Sequence, residues 1–302
     1  MNKLFSLEKD ASSHATLIIF GIKFHFLRPD FRKRQEEYKK QYSDVADIPC
    51  ATGNLRMVQL ANLELLKQFD DICKKNDIHY WLDFGTLLGA KRHHGFIPWD
   101  DDIDVGMARD DYEKFIRMFS GGFESHPDLY YFFSDKARTK YKCFIKVCHK
   151  KTNNLFIDIF PYDYAPKMSA EEKVLFSQKI SKQQEKNYFK DFKAPEAIRK
   201  YLKERTLKNL ADGKSRGSLF WGLDYPHRWV NKVYDYEQIF PLGEIEFEGA
   251  KFPAPNNVHE VLTSIYGDYM SIPKDVYPRH SAYNLAGEEL DFIQRYGKGN
   301  ME

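Results

Sequence analysis

Four carboxylates crowd into five residues, Asp100, Asp101, Asp102 and Asp104, in a run that reads WDDDIDV from Trp99 to Val105. Asp102 and Asp104 are two residues apart, so on a strand both project from one face while Ile103 and Val105 take the other and can anchor it in a core. Carboxylates held side by side repel, and a divalent cation is the usual way such a pair is neutralised. A solvated acidic turn would not alternate with Ile103 and Val105. A calcium loop of the EF-hand type, counted from Asp100, needs Gly sixth and Glu twelfth, where this chain has Val105 and Asp111. A helix cap uses one Asp, not four. The pattern points to a metal site on a strand. A further acid, Asp158, lies between Ile157 and Ile159 in LFIDIF, where it needs a partner or a metal to offset its desolvation.

The elements that must position these acids are legible on both sides. Residues 55–76 space Leu55, Val58, Leu65, Leu66, Phe69, Ile72 and Cys73 as an amphipathic helix that serves as scaffold. Ile78, Tyr80, Leu82 and Phe84 alternate as a strand, Gly85-Thr86 breaks it, and residues 87–92 return to helical spacing. After the acids, 112–119 reads as a helix capped by Asp110 or Asp111, followed by strands at 129–133, 140–149 and 155–163. Near the end, a hairpin centred on Glu248-Gly249 precedes a helix with Val261, Leu262, Ile265 and Tyr266 that stops at Gly267.

The stretch DFGTLLGAKRHHGFIPWDDDIDV, residues 83–105, resembles the signature of the LicD family, a fukutin-related branch of the nucleotidyltransferase-fold superfamily. Residues 247–273 are similar to that family's closing segment, so the resemblance spans about 55–275. It implies an α+β fold, with a nucleotidyltransferase-like mixed sheet, flanking helices and an added helical region. It also implies that Gly85-Thr86 and Asp102/Asp104 belong to one site, with Asp158 as third carboxylate and Mg²⁺ (or Mn²⁺) bound by Asp102, Asp104 and Asp158. Arg92 and Lys146 then become candidates for donor phosphates. The chemistry implied is transfer of an alcohol phosphate, phosphocholine from CDP-choline first among them, to a sugar hydroxyl of a glycan or lipid-linked oligosaccharide, releasing CMP. The proton would pass to one of the three acids or to Asp83 or Asp101. A quaternary ammonium cargo would call for an aromatic cage, for which Trp81, Trp99, Tyr162 and Trp221 are candidates. Two other readings stay open: a nucleotidylyltransferase that uses an NTP and releases pyrophosphate, and a non-catalytic glycan- or partner-binding module.

Composition bounds the rest. A net charge of +2 gives no global pull toward nucleic acid. The 302 residues divide into an N-terminal extension (1–50, a β-ribbon), a catalytic core (51–165), and a helical region with a C-terminal segment completing the substrate cleft (166–302). Residues 166–216 carry 14 Lys/Arg against 7 Asp/Glu, with buried stripes from Phe176, Ile180, Tyr188 and Phe192 and from Tyr201, Leu202, Leu207 and Leu210. Cys50, Cys73, Cys143 and Cys148 show no zinc or disulfide spacing and read as free thiols in a reducing compartment. No signal peptide is evident, and the apolar run at 15–27 is too short to span a bilayer. The expectation is a cytoplasmic protein, peripheral at the inner membrane face through Arg28, Arg32, Lys33 and Arg34.

Overall fold

The computed structural model describes residues 5–9, 14–19, 22–27, 36–133, 144–188, 216–222, 230–273 and 285–299, with backbone alone for 5–27 and 186–188. Its axis is a 14-residue strand, β8 (Thr152–Ala165), in which Leu155, Ile157, Ile159 and Tyr162 are buried. Along one edge β8 pairs in parallel with β5 (Ile103–Ala108). Along its other edge it pairs antiparallel with β7 (Ile145–His149) over the first half and with β9 (Ser218–Trp221) over the second. Beyond these lie β4 (Trp81–Leu82), β6 (Leu129–Phe133) and β10 (Val233–Asp235), completing a seven-stranded mixed sheet. A separate antiparallel sheet, β1 (Phe5–Lys9), β2 (His14–Ile19) and β3 (Ile22–Leu27), forms where the ribbon is expected.

Helix α1 (Gly53–Lys75) packs its apolar stripe onto β8, as does α3 (Arg109–Met118), which fits the α+β class. The expected cap of α3 is replaced: Ala108 occupies the cap position because β5 runs straight into the helix. Asp110 and Asp111 instead fill its first turn, where the helix dipole favours negative charge. Gly106 in mid-strand is explained by its partner. A Cβ there would come 2.4 Å from the Trp81 indole, which is registered directly opposite on β4.

The strand expected over 78–84 shrinks to Trp81–Leu82, and α2 (Phe84–His93) begins three residues before the helical spacing does. Asp83 is the reason. Its carboxylate accepts the Phe84 N–H at 2.9 Å and its carbonyl accepts the Leu87 N–H, so it caps a helix that contains Gly85 and Thr86 in its first turn. Phe84 takes a left-handed φ of +40°, and its ring is held by Phe160 and Trp221 at 4.9 and 5.3 Å.

The C-terminal hairpin forms as expected, with β11 (Gly243–Phe247) and β12 (Ala250–Ala254) joined at Glu248-Gly249. Helix α6 (Val258–Tyr266) follows and ends at Gly267. Between them and the core, α4 (Ala170–Tyr188) is helical as expected, with Ile180 buried and Phe176 packed on Phe220. The chain then returns to the main sheet as β9 and β10, joined to α6 and the hairpin by the short α5 (Tyr236–Ile239), none of which the helical composition of this region announces. A last helix, α7 (Gly287–Tyr296), packs on α1. The expectations for Arg28, Arg32, Lys33, Arg34, Lys140, Cys143, Phe192, Tyr201, Leu202, Leu207 and Leu210 lie outside the described residues, as does the side chain of Tyr188. Cys73 and Cys148 are buried thiols and Cys50 is exposed. Among the described residues no helix is long and apolar enough to cross a membrane.

Candidate active site

The parallel pairing of β5 with β8 sets Asp104 directly opposite Asp158, and the antiparallel pairing of β8 with β7 sets Asp158 opposite Lys146. Asp102, one residue before β5 begins, joins them, and carboxylate oxygens of Asp102, Asp104 and Asp158 lie within 4.8 Å of one another. Three oxygen donors, two on adjoining strands and one just before β5, suit a hard divalent cation such as Mg²⁺ or Mn²⁺. Burial, and then the charges of Asp102, Asp158, Asp100 and Asp83, hold the Asp104 carboxyl well above its ordinary range. That is the electrostatic signature of a cluster that a cation would relieve.

Lys146 brings a positive charge to the cluster. Its ammonium forms an ion pair with Asp158 and sits 3.4 Å above the centre of the Phe156 ring. Gly85 and Thr86 support the acids from α2. The Thr86 hydroxyl accepts the Asp104 N–H at 2.8 Å. A Cβ on Gly85 would come 2.8 Å from an Asp100 carboxylate oxygen and 3.6 Å from one of Asp104, so the helix can approach the cluster only through glycine. Asp100 thereby joins the site's surroundings.

Arg92 and Trp99 stand differently. Both are buried, at 4% and 6% exposure, with the guanidinium 6.0 Å from the indole centre. Arg92 donates to the Tyr269 carbonyl at 2.9 Å and to His93 Nε2 at 3.0 Å, tying α2 to the segment after α6. Trp81, Tyr162 and Trp221, the other aromatic cage candidates, are core residues as well. Asp83 is sealed: one oxygen takes the Phe84 N–H, the other the Tyr162 hydroxyl at 2.5 Å, and Trp221 Nε1 donates to that hydroxyl at 2.9 Å. Burial pushes the Asp83 carboxyl up to about 6 against the lowering effect of these two bonds.

Two residues of α1 that periodicity treats as scaffold reach the site. Buried Gln59 donates to the carbonyls of Ile97 and Asp100 at 3.2 and 2.7 Å. Buried Asn62 donates to the Asp101 carbonyl at 2.7 Å. The signal was present in the sequence as two amides on the apolar face of a helix, which must find partners when buried. Arg56, also on α1, makes a two-pronged ion pair with Glu248 at 2.8 and 2.6 Å, and Glu248 accepts the Phe96 N–H, so the β11–β12 hairpin closes over the loop that leads to the acids.

A family model described as LicD/FKTN/FKRP, nucleotidyltransferase domain, matches residues 77–211, which include all three clustered acids. The chain is 31% identical over 261 residues to the lipopolysaccharide cholinephosphotransferase LicD of Haemophilus influenzae, covering 75% of this chain and 96% of that protein. It is 34% identical over 114 residues to the ribitol 5-phosphate transferase FKRP of Homo sapiens, covering 38% of this chain and 21% of that protein.

Proposed function

Because this chain belongs to the LicD/FKTN/FKRP nucleotidyltransferase-domain family, we propose that it is a metal-dependent phosphotransferase acting on a CDP-alcohol. The cargo we favour is phosphocholine from CDP-choline, moved to a sugar hydroxyl of a bacterial cell-surface glycan precursor with release of CMP. The observation that carries this reading is the convergence of Asp102, Asp104 and Asp158 at the parallel pairing of β5 with β8.

Asp102, Asp104 and Asp158 would hold Mg²⁺ or Mn²⁺, which when bound neutralises charge on the donor diphosphate. Lys146, already beside Asp158, is placed to meet a phosphoryl oxygen as a point charge. Gly85 and Thr86 keep α2 close to the acids, and Arg92, beside Trp99, ties α2 to the segment after α6. The acceptor oxygen forms a bond to the phosphorus that carries the alcohol, the bond from that phosphorus to CMP breaks, and the hydroxyl proton leaves. Asp83 has both oxygens engaged inside the core, so the proton passes to a carboxylate of the 100–104 segment or to Asp158. A cytoplasmic site at the inner membrane face suits a nucleotide donor and a lipid-linked acceptor.

A thermal-shift titration with Mg²⁺ and CDP-choline, CDP-ribitol, CDP-glycerol, CTP or CDP tests this, since a ligand that binds only the native state raises the melting temperature. One CDP-alcohol stabilising beyond CDP itself, with CMP as product, is the expected result. Preference for CTP with pyrophosphate release would make the protein a nucleotidylyltransferase. No binding of any of them would leave a non-catalytic module.

A further inference from the structure

We propose that Asn62 of α1 is a positioning residue that sets the spacing between the two acid-bearing strands and thereby the affinity for the divalent cation, an inference that rests on the metal-site reading above. Asn62 is fully buried and its one amide reaches both halves of the site. Its Nδ2 donates to the Asp101 carbonyl at 2.7 Å, and its Oδ1 accepts the Phe156 N–H at 3.0 Å. Asp101 immediately precedes Asp102. Phe156 is two residues before Asp158 and so shares its face of β8.

The ladder between β5 and β8 begins at Ile103 opposite Ile157. Asp101 and Phe156 lie just beyond that end, and the Asn62 amide continues the tie between the strands where the ladder has stopped. Asp102 is the ligand most dependent on this, because it too lies outside the ladder. Phe156 adds a second link, since its ring supports the ammonium of Lys146, which pairs with Asp158. Gln59 makes a useful contrast: its donors go to Ile97 and Asp100, on the acid segment alone, so it locates that segment without spacing it from β8.

Removing groups that orient metal ligands costs roughly 10–100-fold in metal affinity. The test is a Mn²⁺ titration of the full chain without nucleotide, followed by paramagnetic resonance of the free ion, for wild type, N62A and Q184A. Gln184 is an equally buried amide whose bonds run to Trp221, Gly222 and Asn231. Both variants are expected to melt earlier, but only N62A should bind Mn²⁺ about tenfold or more weakly. Wild-type affinity in N62A overturns the proposal while leaving the metal site standing. A wild type that takes up no Mn²⁺ overturns the metal site, and this inference with it. Should N62A fail to fold, N62S, whose hydroxyl is too short to bridge both backbone groups, is titrated under the same criterion.

Discussion

At the scale of single residues, Asp104 carries opposite consequences for stability and for turnover. Its carboxyl is held up by burial and by neighbouring acids, so as pH rises past the ordinary carboxylate range the unfolded chain has lost a proton that the native state still holds. Stability is therefore lost with rising pH across that interval when no metal is bound. Asp104→Asn should raise the melting temperature of the EDTA-treated protein at neutral pH, by more than it does in acid, as read by calorimetry. The same change removes a metal ligand. Metal assistance is worth several kcal/mol, so turnover should fall by at least about 100-fold at ~1.4 kcal/mol per decade. Wild-type turnover in D104N would sink the metal assignment. Gly85 belongs to the same scale, because only the absent side chain lets α2 meet the cluster.

At the scale of elements, α2 joins the acid strand to the C-terminal segment. His93 near its end is pushed down to about 4, by burial first and by the Arg92 charge second. Its neutral Nε2 accepts the Arg92 Nε–H, a bond that protonation would remove. A free histidine titrates near about 6.5. As pH falls from about 6.5 to about 4, the unfolded chain takes up a proton the native state refuses, so stability is lost with falling pH. His93→Gln should flatten the dependence of melting temperature on pH in that window, and an unchanged slope would refute it. The start of α2 shows why element boundaries were only partly legible. The apolar alternation of 78–84 is real, yet Asp83 ends the strand by capping, and a cap outweighs periodicity at an element's edge.

At the scale of the whole molecule, the hairpin and α6 pack against α2, which supports the acids, while the basic residues Arg28, Arg32, Lys33 and Arg34 follow the N-terminal sheet in sequence. If they meet an anionic membrane surface, changing all four to Gln should weaken co-sedimentation with anionic phospholipid vesicles by roughly 100-fold or more, at about 1 kcal/mol per basic residue. Turnover of a soluble acceptor should be unchanged. Equal binding by both proteins would remove the membrane assignment.

The sequence by itself singled out the three acids that the fold brings within 4.8 Å of one another, because the two-residue spacing of Asp102 and Asp104 and the apolar surroundings of Asp158 are local properties of the chain. It determined the amphipathic helices α1, α3 and α6 and the closing hairpin for the same reason. Only the tertiary structure decided that β5 and β8 are parallel neighbours in the register that sets Asp104 beside Asp158, that Arg92 turns into the protein toward Tyr269, and that Asn62 bridges the two strands. Those are pairings between residues far apart in the chain, settled by which buried polar groups can satisfy one another once the sheet has closed.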